Sequence, residues 1–339
     1  MTPAPKATGT IQGVTGSPGS RILGVGAYRP ERVVPNAELI EAIDSSDEWI
    51  RERSGIISRR FAREDESVVD MAAAAVPGAL DMAGMAVDEI DAVIVATVTH
   101  PYQTPAAAPM VADRFGLRCP AFDISAACAG YCHGIALASD MVRGGSATNV
   151  LVIGVEKLSD FTDPTDRGTA FIFGDGAGAA IVGRSEASGI GPTVWGSEGD
   201  RWQAIQQREA WTGPDRVPAG QQPAIVMQGQ AVFRWAVWSM APVAQQALDA
   251  AGVTAADLDA FIPHQANMRI IDAMVKQLGL PADIPVARDI AETANTSAAS
   301  IPLATERMLR EGQAPRGGLA LQIGFGAGLS YAAQVVQLP

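Results

Sequence analysis

ALDMAG at Ala79–Gly84, followed by DAVI at Asp91–Ile94, returns later in the chain as ALDAAG at Ala247–Gly252, followed by DAFI at Asp259–Ile262. Both pairs lie 168 positions apart. Carried onward, the same offset sets Gly144 opposite Gly312, and the apolar run NVLVIGVE from Asn149 opposite GGLALQIG from Gly317. One shift aligns helix, strand, helix and strand in order, which chance rarely does, so the chain reads as a duplicated α/β unit. The strands are almost continuously apolar and alternate with helices. That pattern predicts central, largely parallel sheets covered on both faces, with a site where strand ends meet.

The composition suits such a core: of 339 residues, 47% are hydrophobic and 18% charged. A net charge of −12 argues against nucleic acid and anionic membrane surfaces as partners, while leaving room for a local basic patch. Cys119, Cys128 and Cys132 are the three cysteines and cannot all pair, so a reducing, cytoplasmic setting is expected. Residues 1–20, rich in Thr, Gly and Pro, lack the apolar core of a signal peptide and are expected to be a flexible tail. No run approaches the length of a membrane span.

From Arg21, RILGVGAY reads as a strand, and PNAELIEAIDSSDEWIRERSG as a helix, a capped turn and a second short helix carrying Trp49, Arg51 and Arg53. Trp49 there is either a packing anchor or a binding surface. Farther on, FDISAACAGYCHGIALASDMVRGG at Phe122–Gly145 runs a strand into a helix with Cys128 at the bend and a glycine stop. A thiol at a helix start faces unpaired N–H groups and the positive end of the macrodipole, which favours thiolate. An apolar, isolated Cys can also be read as a buried structural residue. In the second half, strand DAFI ends in Pro263-His264, and ANTSAAS takes the place of SAACAGY, setting Asn295 before the matching helix. A pseudo-twofold between the halves would bring Cys128, His264 and Asn295 together. Taken singly, the His reads as structural and the Asn as a helix cap.

Other runs are weaker. GDGAGAA at Gly174–Ala180 lacks the Lys-Ser/Thr of a phosphate loop and is read as a tight turn, and Gly24 and Gly26 lack the third glycine of a dinucleotide fingerprint. Cys128, Cys132 and His133 share about one helical turn with no second ligand pair, so no metal is expected. IGFGAG at Ile323–Gly328 ends a buried strand and permits close approach of backbone to a ligand, or is an ordinary turn.

Together DSSDEWIRERSGI, CPAFDISAACAG, DPTDRGTAFIFGDGAGAA, PHQANMRII, NTSAAS and GFGAG resemble the β-ketoacyl-acyl carrier protein synthase III family of thiolase-like condensing enzymes, from Arg21 to the C-terminus. The resemblance implies an α/β thiolase-like fold: duplicated halves in a five-layered α-β-α-β-α core, with residues 21–190 carrying the nucleophile and 191–339 the His and Asn. It implies Cys128 as nucleophile with His264 and Asn295 as its partners, where thiolases proper have a second cysteine and elongating synthases a second histidine. The implied reaction is ping-pong: Cys128 takes an acyl group from acyl-CoA, malonyl-acyl carrier protein loses carbon dioxide, and its carbanion attacks the thioester. His264 and Asn295 would donate to the enolate oxygen, and the N–H groups of Cys128 and Ala327 would form the oxyanion hole. The family commonly has glycine at the position of Ala327.

Further positions carry over from the family. Trp49 and Arg167 would bracket the adenine of CoA, Arg53 and Arg269 would lie near its phosphates, and Gly229 and Asn267 would line the pantetheine tunnel. Gln230 stands where Asn is frequent. Arg269 and Lys276, on one side of a predicted helix, would dock the acidic carrier protein, or else form a solvated face. Thr104 stands where acetyl-preferring members place a phenylalanine contributed across a homodimer, which implies room for longer or branched primers. No cofactor is implied, since CoA enters as acyl-CoA substrate. A fatty-acid initiator and a polyketide-priming enzyme are nearly even, with the pocket at Thr104 leaning slightly toward specialised priming, and the alternatives are an acyl-CoA thioester hydrolase or a non-catalytic partner subunit.

Overall fold

The computed structural model describes residues 12–213, 215–218 and 221–339. Residues 1–11 of the expected tail lie outside the described residues. Residues 12–15 are exposed, and hydrogen bonding to the body starts at Ser17, whose N–H donates to the Val142 carbonyl (3.3 Å); the first strand begins at Gly19.

In chain order the first half runs strand Gly19–Tyr28, a hairpin of Arg32–Pro35 with Ser58–Phe61 enclosing helix Asp47–Ser54, helix Val68–Ala83, strand Ala92–Ala96, helix Ala107–Arg114, strand Ala121–Ile124, helix Gly130–Gly144, and strands Asn149–Glu156 and Gly176–Ser185. The second half runs strand Val194–Ser197, a two-stranded ribbon of Ile205–Gln207 with Ile225–Met227, helix Gly229–Ala251, strand Ala260–Pro263, helices Met268–Leu278, Ile290–Thr293 and Ser300–Arg310, and strands Leu319–Gly326 and Ser330–Gln337.

The repeat is visible in the helix ends. Helix Val68–Ala83 opens on a capping box of Ser67 and Asp70 and stops at Gly84 (φ +64°); helix Gly229–Ala251 stops at Gly252 (φ +71°), 168 positions on. Beyond this point the offset changes. Ala127 (φ +45°) matches Ser297 (φ +48°), and strand Asn149–Glu156 matches Leu319–Gly326, both at 170. The second half has gained two residues before Asn295, so the constant offset holds only for the first helix and strand.

The sheets are mixed rather than largely parallel. In the five-stranded sheet, Ala92–Ala96 is parallel to Asn149–Glu156 and Ala121–Ile124, while Gly176–Ser185 is antiparallel to both its neighbours. In the four-stranded sheet only Ala260–Pro263 with Leu319–Gly326 is parallel. The connection from Leu319–Gly326 to Ser330–Gln337 is a short turn, and without a crossover helix the next strand can only return antiparallel. Within GDGAGAA, Gly176–Ala180 are buried strand residues, not a tight turn. A Cβ on Gly178 would meet Pro302 side-chain carbon at 2.6 Å, so the small residues let helix Ser300–Arg310 lie against the sheet.

Five layers result. Val69, Ala72, Val76 and Val111 of the outer helices cover one face of the first sheet. Between the sheets lie the inner helices, with Tyr131, Ile135, Val142, Ile301 and Met308 packed against strand residues of both. Trp235, Met240, Ile270 and Met274 cover the far face of the second sheet. The two inner helices begin at the same level, and their first turns meet: a Cβ on Gly130 would lie 3.6 Å from Ala298 Cβ.

Candidate active site

Cys128 lies where the edge strand Ala121–Ile124 breaks toward its helix. The break is strained, with Ala127 at φ +45°, and a 3-10 turn at Ala127–Ala129 carries the thiol before the α-helix starts at Gly130. The opposite wall is the end of strand Leu319–Gly326. A Cβ on Gly326 would come within 2.8 Å of Cys128 Sγ, so glycine here serves the thiol itself. Cys128, His264 and Asn295 line one cavity of about 810 Å³, which brings together three residues predicted from separate stretches.

The thiol is not held as thiolate in the free protein. Burial pushes Cys128 up to about 12, with the charge of Glu156 adding to the rise and the Ser297 hydroxyl opposing it. A helix start contributes at most about 2 kcal/mol, and desolvating the sulfur anion outweighs it.

His264 follows strand Ala260–Pro263, with its own N–H bonded to the Ile323 carbonyl (2.8 Å). Its Nδ1 lies 2.7 Å from Ser300 Oγ, which also accepts from the Gln265 N–H (3.4 Å). A Ser300 hydroxyl that donates its proton to Nδ1 leaves Nε2 as the ring's N–H donor. Burial pushes His264 down to about 3, so the ring is neutral at ordinary pH. The Phe325 ring packs edge-on at 5.4 Å.

Asn295 fulfils its local role as well. Its Oδ1 accepts from the Ser297 N–H (2.8 Å), as a cap would, which leaves the Nδ2 donor for the cavity. Ser297 at φ +48° is the counterpart of Ala127, and its hydroxyl donates to Glu156 Oε1 (3.1 Å). Glu156, Ser297 and Ser300 escaped the sequence reading. Ser297 and Ser300 sit in a run of small residues that resembles a cap, but Glu156 had a signal: a carboxylate closing the otherwise apolar NVLVIGV.

The mouth of the cavity holds Trp49, Arg53, Arg167, Gly229, Asn267 and Arg269. The Arg167 guanidinium lies 5.1 Å from the Trp49 ring centre and that of Arg53 6.0 Å, so an aromatic ring would enter by displacing Arg167. Asn267 caps helix Met268–Leu278, accepting from the Arg269 N–H (2.9 Å) while its Nδ2 donates to the Arg53 carbonyl (2.9 Å). Arg269 lies over Phe233 at 5.0 Å. A Cβ on Gly229 would meet nothing within 4 Å, and Gln230 and Ala327 are also in the lining. Lys276 is exposed farther along the Arg269 helix, outside the lining; Thr104 is exposed and outside the cavity of its own chain. Cys132 is buried between the sheets and His133 stacks on Trp195 (5.5 Å), so neither accompanies Cys128. Among the described residues no helix is long and apolar enough to cross a membrane.

Two family models match the chain: 3-oxoacyl-[acyl-carrier-protein] synthase III over residues 122–199, and the C-terminal part of the same family over 248–338. The beta-ketoacyl-[acyl-carrier-protein] synthase III of Streptomyces glaucescens is 60% identical over 330 residues, covering 97% of this chain and 99% of the relative. The mycobacterial beta-ketoacyl-[acyl-carrier-protein] synthase III of Mycobacterium marinum is 56% identical over 319 residues, covering 94% and 95%. Among solved structures, the priming β-ketosynthase of the R1128 polyketide biosynthetic pathway superposes with a TM-score of 0.94 at 47% identity, covering 97% of this chain and 98% of that one. The synthase III of Thermus thermophilus gives 0.88 at 42% identity, covering 94% and 99%.

Proposed function

Because the chain belongs to the 3-oxoacyl-[acyl-carrier-protein] synthase III family, we propose that it catalyses the initiating decarboxylative condensation of a short acyl-CoA with malonyl-acyl carrier protein, giving a 3-oxoacyl-acyl carrier protein for fatty-acid or polyketide synthesis. The observation that carries this reading is the convergence of Cys128, His264 and Asn295 in one cavity whose lining also holds Trp49, Arg53, Arg167 and Arg269.

Cys128 Sγ attacks the acyl-CoA carbonyl, the N–H groups of Cys128 and Ala327 take the oxyanion, and the CoA thiol departs to leave a thioester. Malonyl-acyl carrier protein then enters. As its carboxylate leaves as carbon dioxide, negative charge grows on the thioester oxygen, and His264 Nε2 and Asn295 Nδ2 donate to it. The enolate carbon attacks the acyl-Cys128 carbonyl and the thiolate is released. A His264 ring kept neutral by burial suits this step, because a cation would bind the malonyl carboxylate that has to leave. No resident cofactor takes part.

The CoA arm lies along Gly229 and Asn267 with its adenine between Trp49 and Arg167 and its phosphates near Arg53 and Arg269. The carrier protein docks on Arg269 and Lys276, whose cationic face supplies what the net charge of −12 withholds elsewhere. The working protein is a cytoplasmic homodimer of two-lobed chains divided near residue 190. Thr104 reaches the acyl pocket of the partner copy and leaves space for propionyl or isobutyryl groups. Thr104→Phe is expected to shorten the accepted primer, read as kcat/KM across an acyl-CoA series; acetyl-CoA outperforming every longer primer in the wild type would remove this role.

Intact-protein mass spectrometry tests the central claim. Incubation with acyl-CoA is expected to add one acyl mass to the wild type and none to Cys128→Ala, and malonyl-acyl carrier protein is expected to discharge it as 3-oxoacyl product. An undiminished adduct on the variant would overturn the nucleophile, and discharge to free acid alone would make the protein a hydrolase.

A further inference from the structure

Next to the Ser297 turn at the site lies a carboxylate with no part in the mechanism above. Glu156 closes strand Asn149–Glu156 and is fully buried. Its Oε2 accepts from Thr99 Oγ1 (2.7 Å), the Val98 N–H (3.1 Å) and Thr97 Oγ1 (3.2 Å), all in the first half of the chain. Its Oε1 accepts from Ser297 Oγ (3.1 Å) in the second half. Val98, Ser297 and Cys128 all line the catalytic cavity, so this one carboxylate ties both halves to the thiol's surroundings. Among the described residues no cation pairs with it: Lys157, next in sequence, turns to the Arg63 carbonyl (2.9 Å) and Asp160 (3.2 Å).

Ser297 has a single hydroxyl proton and two groups that want it. The turns that carry Cys128 and Ser297 pack against each other; while Glu156 is ionised the hydroxyl proton goes to the carboxylate, and Ser297 Oγ would then serve the sulfur only as an acceptor for S–H, which favours the thiol. Once Glu156 is protonated, its acid O–H can donate to Ser297 Oγ, and the Ser297 proton is free to turn to a thiolate. We propose that Glu156 is a positioning residue for the nucleophile, its carboxyl setting through the Ser297 hydroxyl whether Cys128 is held as thiol or supported as thiolate. The inference rests on Cys128 being the nucleophile.

The step balances. The Cys128 S–H proton passes to Ser297 Oγ as the Ser297 proton passes to Glu156 Oε1; negative charge moves from carboxylate to sulfur, and no electrons are exchanged with another group. Glu156 is suited to receive it, since burial raises it to about 7, against the hydrogen bonds from Thr99, Val98, Ser297 and Thr97 that pull it down. The other charged or titratable groups lining the cavity are Cys128 itself, His264, which burial keeps neutral, and Arg53, Arg167, Arg234 and Arg269.

Alkylation of Cys128 by iodoacetamide, followed by peptide mass from pH 5 to pH 9, tests the coupling without requiring acyl transfer. The reactive pair, protonated Glu156 with thiolate, contains as many protons as the resting pair, carboxylate with thiol. The wild-type rate is therefore expected to rise tenfold per pH unit up to about pH 7 and then run level for a unit or more. Glu156→Gln should rise tenfold per unit through the same range, and Glu156→Asp should restore a level stretch. Ser297→Ala, which removes only one hydroxyl, should shorten it. A Glu156→Gln profile displaced by one factor at every pH, or a level stretch unchanged in Ser297→Ala, would overturn the proposal. If Cys128 is alkylated as described but never acylated by acyl-CoA, the nucleophile reading fails instead.

Discussion

Two atoms near the thiol do more than their residue types suggest. Gly326 faces Cys128, and a methyl placed there would sit 2.8 Å from Sγ and 3.4 Å from the Cys128 nitrogen. The same strand leaves no slack at Gly324, where a Cβ would lie 3.0 Å from the Cys128 carbonyl oxygen. Gly326→Ala is therefore expected to slow acylation about a hundredfold, the scale of an ångström's misplacement, in single-turnover assays with acyl-CoA. Ser300 acts at one remove, through the tautomer of His264. Without its hydroxyl, Nδ1 can carry the ring proton and Nε2 ceases to be a donor in a fraction of molecules. Ser300→Ala should slow carbon dioxide release from malonyl-acyl carrier protein at least tenfold while leaving Cys128 acylation within about twofold. Equal losses in both half-reactions would sink the tautomer argument. Neither residue was marked by the sequence: Gly326 reads as one glycine of a turn and Ser300 as a helix starter, because their partners are more than thirty positions away along the chain.

Elements were legible where a local cause fixes them. Gly84 and Gly252, which close the repeated runs in the sequence, stop their helices in the left-handed conformation that glycine adopts at little cost. The repeat of a helix and a strand at offset 168 gave the layered, duplicated fold, and strand ends converge on the site as that fold demands. Strand direction was not legible, because an apolar run looks the same whichever way its neighbour points; the turn at Ala327–Leu329 decides it. The same limit applied to GDGAGAA, whose small residues answer to Pro302 on a distant helix. Asn267 shows how an element end can serve two purposes, since the side chain that starts its helix also holds the Arg53 carbonyl at the cavity mouth. Asn267→Ala should cost about 1 kcal/mol of stability from the lost cap, measured by denaturant titration. It should also raise KM for acyl-CoA severalfold with kcat nearly unchanged, because helix Asp47–Ser54, which carries Trp49, loses a tie to the helix of Arg269. A change in kcat alone would contradict this account.

Folding the two halves together buries titratable groups with opposite responses to pH, and the whole molecule's stability should record this. Glu156 is raised to about 7 and Asp175 to about 6, both chiefly by burial, while burial lowers His264 to about 3. In the unfolded chain these groups return to ordinary values, near 4 for the carboxylates and 6.5 for the histidine. Between about pH 4.5 and 7 the folded state keeps the Glu156 proton that the unfolded chain has released, so this group makes stability fall as pH rises. For His264 the inequality reverses: between about pH 3 and 6.5 the unfolded chain binds a proton that the folded state refuses, so stability rises with pH. Removing each group exposes its share. Relative to wild type, Glu156→Gln should gain stability as pH is raised from 4.5 to 7, by on the order of 3 kcal/mol. His264→Gln should gain it as pH is lowered from 6.5 toward 3, and Glu156→Gln with His264→Gln should show both trends added. Urea melts at half-unit pH steps give these differences directly, with any constant loss from broken hydrogen bonds appearing as an offset rather than a slope. Two difference curves sloping the same way would mean that burial does not shift one of the two groups in the direction desolvation requires, and the neutral His264 of the decarboxylation step would lose its support.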